Sequence, residues 1–216
     1  MSPDQQFLYE VTELFEKDAP KLKAYQINAD FSLTLINEQP IAGGLPCHLR
    51  ALETNVLVAC YETGNLLQFP IEKSGALRPA SHNFVHEGSS INLERQEAPH
   101  VHQVAIHPNG TEVYICDLGI DQVKAYQLQG ENLQPNLAKD LSVNKGGGPR
   151  HLVFNPSGNL AYILNELTGQ VTIAQGQNEV FKAIKDYNTL PDDYNGPASS
   201  SAIRLHPNGN YLYAAN

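Results

Sequence analysis

One motif returns along this chain at a nearly fixed interval, and it restricts the fold more than any other feature. Short apolar strands flank turns of the His-Pro-Asn-Gly kind. HQVAIHPNGTEVYICDLGIDQVKAY runs from His102 to Tyr126, and GPRHLVFNPSGNLAYILNELTGQV runs from Gly148 to Val171. SAIRLHPNGNYLYAAN spans Ser201 to Asn216. SPDQQFLYEVTE near the start and HLRALETNVLVACYETGNLLQF, from His48 to Phe69, are looser copies. Aligned on Tyr9, Val58, Tyr114, Tyr162 and Tyr213, the copies fall at intervals of 49, 56, 48 and 51 residues. The longest interval carries an insertion over 81–98. Repeats of roughly 40 to 50 residues, each with several short strands, are the sequence sign of a β-propeller. A β-sandwich also alternates short strands with turns, but it does not repeat one turn chemistry at a fixed period. The expected fold is all-β, a β-propeller of four-stranded antiparallel blades.

Each unit reads as strands A to D. Unit one supplies B over 7–11, C over 22–27 and D over 33–38. Unit two supplies A at His48, B over 56–60, C over 66–70 and a weak D over 83–86. Unit three supplies A over 104–106, B over 112–116, C over 123–128 and D over 137–143. In unit four, A over 152–154 and B over 160–164 form a hairpin about the Pro156-Ser157-Gly158-Asn159 turn, where Pro fixes φ and Gly accepts φ > 0. Its C and D strands are expected over 171–174 and 180–184, and no helix is expected. At about 50 residues per unit, 216 residues make roughly four blades, the low end for a propeller. The first unit reads without its A strand and the last without C and D. The expected organisation is therefore a single-domain partial propeller over 1–216, cut at both ends. Its uncovered sheet edges favour self-association.

Composition narrows the function classes. Hydrophobic residues make up 41% of the chain, which excludes a disordered segment. No apolar run approaches the roughly 18 residues of a membrane helix, so no membrane partner is expected. A net charge of -9 disfavours a nucleic-acid partner. Cys47, Cys60 and Cys116 are too few to pair completely, and Cys60 and Cys116 lie in apolar strand patterns. They read as buried free thiols in a reduced, cytoplasmic setting, and no secretory leader is read.

Strand order decides where the polar residues go. In a four-stranded meander the A–B and C–D turns share one face, and the D–A and B–C loops share the other. The A–B turns are plain, and their His107 and His206 read as turn residues. His82 and His86 read as surface residues. The D–A loops deliver Arg95, His100, His102, Arg150 and His151. The B–C loops deliver Glu13, Glu62, Asp117, Asn165 and Glu166. Strand A is innermost in a propeller, so these groups should ring the mouth of the central channel, a default place for a binding site. His102 and Arg150 each stand six residues before a turn proline, Pro108 and Pro156, and should sit side by side. The period-2 pair His100 and His102 has a metal-binding reading, but no Cys or carboxylate joins it at a ligand spacing, so no metal is expected. Gly146-Gly147-Gly148 precedes no helix, so it does not read as a phosphate loop. Glu166 has a bland reading as a turn cap beside its functional one.

RQEAPHVH, DLGIDQVKAY, GPRHLVFNPSG, YILNE and HPNGNYLYAAN, in that order, resemble the lactonase family of seven-bladed β-propellers. That family includes the bacterial cycloisomerase-type 6-phosphogluconolactonases and the fungal carboxy-muconate lactonizing enzyme. The resemblance covers nearly the whole chain and is strongest over 95–216. It implies an intracellular, metal-independent enzyme without a cofactor, acting on a small-molecule sugar lactone. It also implies catalytic roles for His102 in PHVH, Arg150 in GPRH and Glu166 in NE. A further arginine of the family follows the position of Asn216. The residues agree with that chemistry. Opening a lactone needs a proton carrier and charge stabilisation at the carbonyl oxygen. His102 or Glu166 can move the proton, and Arg150 and Arg95 offer fork-shaped donors. His100, Asp117, His151 and Asn165 complete the expected substrate-binding set with Arg95. The expected activity is hydrolysis of 6-phosphogluconolactone in the pentose phosphate pathway. Cycloisomerisation of a carboxy-muconate uses the same scaffold and remains a rival. A non-catalytic interaction propeller is the rival from another class. It would show a broad apolar top face in place of these His, Arg, Glu and Asp residues.

Overall fold

The computed structural model describes residues 1–177 and 180–216. Among these residues the regular structure is eighteen strands and three 3-10 turns, without an α-helix. The chain separates into two compact units, Met1–His86 and Glu87–Asn216.

The first unit holds two antiparallel sheets. One runs β1 (Phe7–Val11), β2 (Lys21–Ile27), β3 (Leu33–Pro40). The other runs β4 (Pro46–Ala51), β5 (Asn55–Cys60), β6 (Asn65–Pro70), β7 (His82–Val85). Every residue of β5 is buried. A strand covered on both faces reads as a continuous apolar run rather than an alternating one, which is how NVLVAC reads. Tyr9, Leu22, Val56, Val58, Leu67 and Phe69 form the core between the two sheets.

The second unit carries the repeats with the strongest sequence signal. Its first sheet comprises β8 (Val101–Ile106), β9 (Glu112–Asp117), β10 (Gln122–Gln129), β11 (Asn132–Pro135) and β12 (Leu141–Ser142). The second runs β13 (Pro149–Phe154), β14 (Leu160–Asn165), β15 (Gln170–Gln177), β16 (Val180–Asn188). The third is the pair β17 (Ala202–Leu205) and β18 (Leu212–Ala215). The meander order expected from the repeats is the observed order. The Tyr114 ring meets those of Phe154 and Phe181 edge to face, Phe181 at 5.7 Å and 90°.

His107 explains why the turn motif begins with histidine. Its Nδ1 accepts the backbone N–H of Asn109 at 3.2 Å. The proton therefore sits on Nε2, which donates to the carbonyl of Gly158 at 2.8 Å, in the turn of the next repeat. The ring also meets Phe154 edge-on at 4.9 Å. His206 repeats the first bond, accepting the N–H of Asn208 at 3.2 Å. The expectation that these histidines serve the turns holds.

Two expectations fail. The strand expected over 137–143 is broken. β11 pairs with the far half of β10 and β12 with its near half, and a 3-10 turn over Leu137–Lys139 lies between them. Asp140 causes the break. Its carboxylate takes the N–H of Ala125 at 2.8 Å, where a backbone carbonyl would stand in a regular ladder. It also pairs with Lys124. His86, expected at the surface, is buried. Its backbone N–H donates to the carbonyl of Gly64 at 3.0 Å as β7 ends.

Candidate active site

The hairpin β13–β14 builds the site. Pro149 pairs with Asn165 and His151 with Leu164, so Arg150 is an extra residue without an opposite number. The same irregularity occurs in β8, where Val101 pairs with Asp117 and Gln103 with Cys116, leaving His102 as the extra residue. It occurs again at Cys47 in β4. A bulge bends its strand and re-aims a side chain. Here the repeat places a bulge near the entry of β4, β8 and β13, and two of those bulges carry His102 and Arg150. β8 and β13 are tied where they meet, because Gln103 Oε1 accepts the N–H of Leu152 at 2.6 Å.

Glu166 lies in the turn after β14, with its backbone N–H donated to the carbonyl of Gly148 at 2.8 Å. Its two carboxylate oxygens hold two arginines. Arg95 Nη2 donates to Oε1 at 2.6 Å, and Arg150 Nε donates to Oε2 at 2.8 Å. Side-chain exposure is 11% for Glu166, 23% for Arg150 and 43% for Arg95, so the clamp is partly dry and opens to solvent on the Arg95 side. Charge-assisted bonds of this kind are short and strong in such surroundings. The Arg150 guanidinium also donates to the carbonyl of Ser201. Ser201 stands six residues before Pro207 and so matches Arg150 and His102 in the next repeat.

Histidines flank the clamp. The rings of His102 and His151 meet at 5.6 Å and 77°. Arg150 Nη1 lies 3.5 Å from His151 Nε2. A guanidinium can only donate, so that nitrogen is the acceptor and the His151 proton belongs on Nδ1. His100 Nε2 lies 3.3 Å from Glu97 Oε1. The Glu97 carboxyl is held below its usual range, first by its own backbone amide and then by the His100 imidazole.

The structure thus brings together His102, Arg150, Glu166, Arg95 and His151. Three expected residues take other places. Asp117 is completely buried, and its Oδ1 accepts the N–H groups of His100 at 2.8 Å and Gly119 at 3.1 Å. It fastens the β8 entry to the turn after β9 and has no surface to offer a substrate. His100 is buried at that fastening. Asn165 is 2% exposed and points inward. Thr172 Oγ1 donates to Asp186, so it can only accept from Asn165 Nδ2, at 2.8 Å. That fixes which way the amide faces and makes Asn165 a support for the β14 end. In the first unit Glu13 is exposed, and Glu62 Oε2 accepts the N–H of Glu16 at 2.8 Å. A cavity of about 540 Å³ opens in that unit against Phe7, Tyr9, Leu52 and Ile71, and no expected site residue lines it.

Sequence reading missed Gln103 and the Ser201 carbonyl. Gln103 follows a chemically prominent histidine and has no motif of its own. Ser201 was open to discovery through the proline count that matched His102 with Arg150, but a backbone carbonyl carries no residue signal.

The comparisons with known proteins bear on this geometry. The model of the family described as "Lactonase, 7-bladed beta-propeller" matches residues 1–216. The 6-phosphogluconolactonase of Bacillus subtilis is 35% identical over 199 residues, covering 89% of this chain and 56% of that protein. The 6-phosphogluconolactonase of Formosa agariphila is 28% identical over 222 residues, covering 100% of this chain and 63% of that protein. Among solved structures, a proposed 6-phosphogluconolactonase from Bacteroides fragilis matches with a TM-score of 0.91 at 32% identity, over 100% of this chain and 62% of that one. The periplasmic gluconolactonase of Pseudomonas aeruginosa matches with a TM-score of 0.89 at 25% identity, over 99% of this chain and 63% of that one. The chain thus spans less than two thirds of the length of these relatives. The repeats, the meander sheets and the match along all 216 residues lead to one assignment: this chain belongs to the lactonase family of seven-bladed β-propellers.

Proposed function

We propose that the protein is a lactone hydrolase that opens 6-phosphogluconolactone to 6-phosphogluconate, in the cytoplasm and within the pentose phosphate pathway. The observation that carries this reading is the clamp of Glu166 on Arg95 and Arg150 beside the His102–His151 ring pair. The names of the Bacillus subtilis and Formosa agariphila relatives support the choice of substrate.

The chemistry follows from the donors and acceptors present. A water must lose a proton as it attacks the lactone carbonyl, and the ring oxygen must gain one as it leaves. His102 carries that proton, because imidazole changes charge near neutral pH. The guanidinium of Arg150 faces the negative charge that develops on the carbonyl oxygen, and preorganised donors of this kind stabilise it. Arg95, the more exposed cation, suits the anionic end of the substrate. Glu166 has both oxygens engaged by arginines, so it acts by aiming them rather than by taking the proton from water.

The test is the loss of 6-phosphogluconolactone measured against its spontaneous opening, with a carboxy-muconate as the competing substrate. Faster loss of the sugar lactone is expected. A rate no greater than the spontaneous one, or a preference for the carboxy-muconate, overturns the assignment.

A further inference from the structure

Asp121 closes the 3-10 turn Leu118–Ile120 that joins β9 to β10. It is buried, and its backbone is left-handed, with φ 54° and ψ 36°. Aspartate tolerates that region better than most residues do. Its carboxylate receives four donors. Oδ1 accepts Gln96 Nε2 at 2.7 Å and the Gly148 N–H at 2.8 Å. Oδ2 accepts the Gly146 N–H at 2.6 Å and the hydroxyl of Ser90.

These four donors come from two segments, 90–96 and 146–148. The first segment carries Arg95 of the clamp, and the second leads into Arg150. Arg95 adjoins Gln96, and Arg150 lies two residues past Gly148. The second segment also holds Glu166, since the carbonyl of Gly148 accepts the Glu166 N–H at 2.8 Å and that of Gly147 accepts the Leu167 N–H at 3.1 Å. Gln96 is itself completely buried and donates to the carbonyl of Leu118 at 2.8 Å, so the insertion segment is anchored to the same turn. One carboxylate therefore meets both backbone segments from which the three charged groups of the clamp depart.

We propose that Asp121 is a positioning residue of this site: it fixes the spacing of the segments bearing Arg95 and Arg150, so that both guanidinium groups reach Glu166 together. Its kinetic consequence rests on the lactonase reading given above. An ionised carboxylate only accepts, and here it meets four donors. An asparagine of the same size presents an NH2 to at least one of them, leaving a buried donor facing a donor. A misplacement of about 1 Å at a reacting group can cost about 10²-fold in rate.

The test compares the protein with its Asp121→Asn, Arg95→Ala and double variants, well below their melting temperatures. Asp121→Asn is expected to lower kcat at least tenfold with the β-sheet circular dichroism retained, and to add little once Arg95 is gone, because residues in one network are not additive. The Nε–H resonances of Arg95 and Arg150 in NMR spectra are expected to move toward those of free arginine in Asp121→Asn. An unchanged kcat in a protein that hydrolyses the lactone overturns the proposal and leaves the lactonase reading standing. Multiplying effects of Asp121→Asn and Arg95→Ala overturn it too. If the unaltered protein opens no lactone, the lactonase reading fails by itself, and the arginine resonances decide the role of Asp121. Unmoved resonances then overturn it.

Discussion

His102 and Arg150 are the same residue of two successive repeats, each the extra residue of a β-bulge on adjoining strands. In a regular strand, alternation would direct each of them strictly above or below its own sheet. The bulge releases both side chains from that rule. The proposed site and the fold thus share one irregularity, and the repeat supplies it before any side chain is chosen. Position 47 in the first unit keeps the bulge with a cysteine in it.

His102→Ala should lower lactone turnover by roughly 10² or more, the usual contribution of a positioned proton carrier. His102 is buried and its ring packs on His151, so truncation should also lower the melting temperature modestly. Steady-state kinetics with a thermal melt checks both. Unaltered turnover removes His102 from the mechanism.

Glu166→Gln keeps the size of the side chain and removes the charge that holds two arginines. Turnover should fall by roughly 10², the cost of guanidinium groups misplaced by about 1 Å. Arg150→Lys should fail to restore function despite keeping its charge, since an ammonium cannot bond Glu166 and the Ser201 carbonyl through one rigid fork. Turnover of the lysine variant near that of the original protein would show that charge alone suffices at this position.

The fold was legible in the sequence because strands, turns and their period are local properties. β1, β5 and β9 fall within a residue of the expected ranges. The hairpin about Pro156 stands where its turn residues placed it. The failures have a common physical cause. The strand over 137–143 was read from its apolar residues, but the Asp140 side chain replaces a backbone acceptor and splits it, and no periodicity reports such a substitution. Asp117 and Asn165 were placed correctly in the chain and wrongly in depth. A polar residue at a strand end reads the same whether it faces a ligand or a neighbouring amide. Asp121 was missed for the same reason, since its partners lie at least 25 residues away in sequence.

Thiol reactivity should separate the three cysteines. Cys60 and Cys116 are completely buried, whereas Cys47 is partly exposed. Burial, and then the nearby Cys47, pushes the Cys60 thiol up to about 12. Burial pushes Cys116 up further. Only a thiolate reacts quickly. With a disulfide reagent at pH 8, the folded protein should show one fast thiol and the denatured protein three. Two fast thiols before unfolding would contradict the described packing.

The same burial sets a pH dependence. Tyr9, whose hydroxyl donates to the carbonyl of Gly75 at 3.2 Å, is raised to about 12, chiefly by burial and then by Asp4. For Tyr9 and Cys60 alike, the folded value exceeds the unfolded one. Their contribution to stability is full below the unfolded values and is lost as pH climbs toward 12. Denaturant midpoints should therefore fall between about pH 9 and 12. Cys60→Ala should weaken that decline. A flat profile across this window would show that neither group is held neutral by the fold.

Gly119 offers a test that reaches the site through backbone alone. It sits in the 3-10 turn after β9, and a methyl group there would lie 1.8 Å from the carbonyl oxygen of Ala98 and 2.8 Å from the amide nitrogen of His100. Neither atom belongs to a flexible side chain, so Gly119→Ala must push the 98–100 segment away from the turn. That segment leads from Arg95 to His102. Overpacking of this kind costs typically 1–3 kcal/mol, and here the displacement also disturbs the clamp. Melting temperature and turnover should fall together. Gly130→Ala is the control. That glycine has φ 63° and nothing within 4 Å of its added methyl group, so the variant should lose about 1 kcal/mol from the left-handed conformation and keep its turnover. If Gly119→Ala lowered stability as much as Gly130→Ala and left turnover intact, the 98–100 segment would have no part in placing Arg95 and His102.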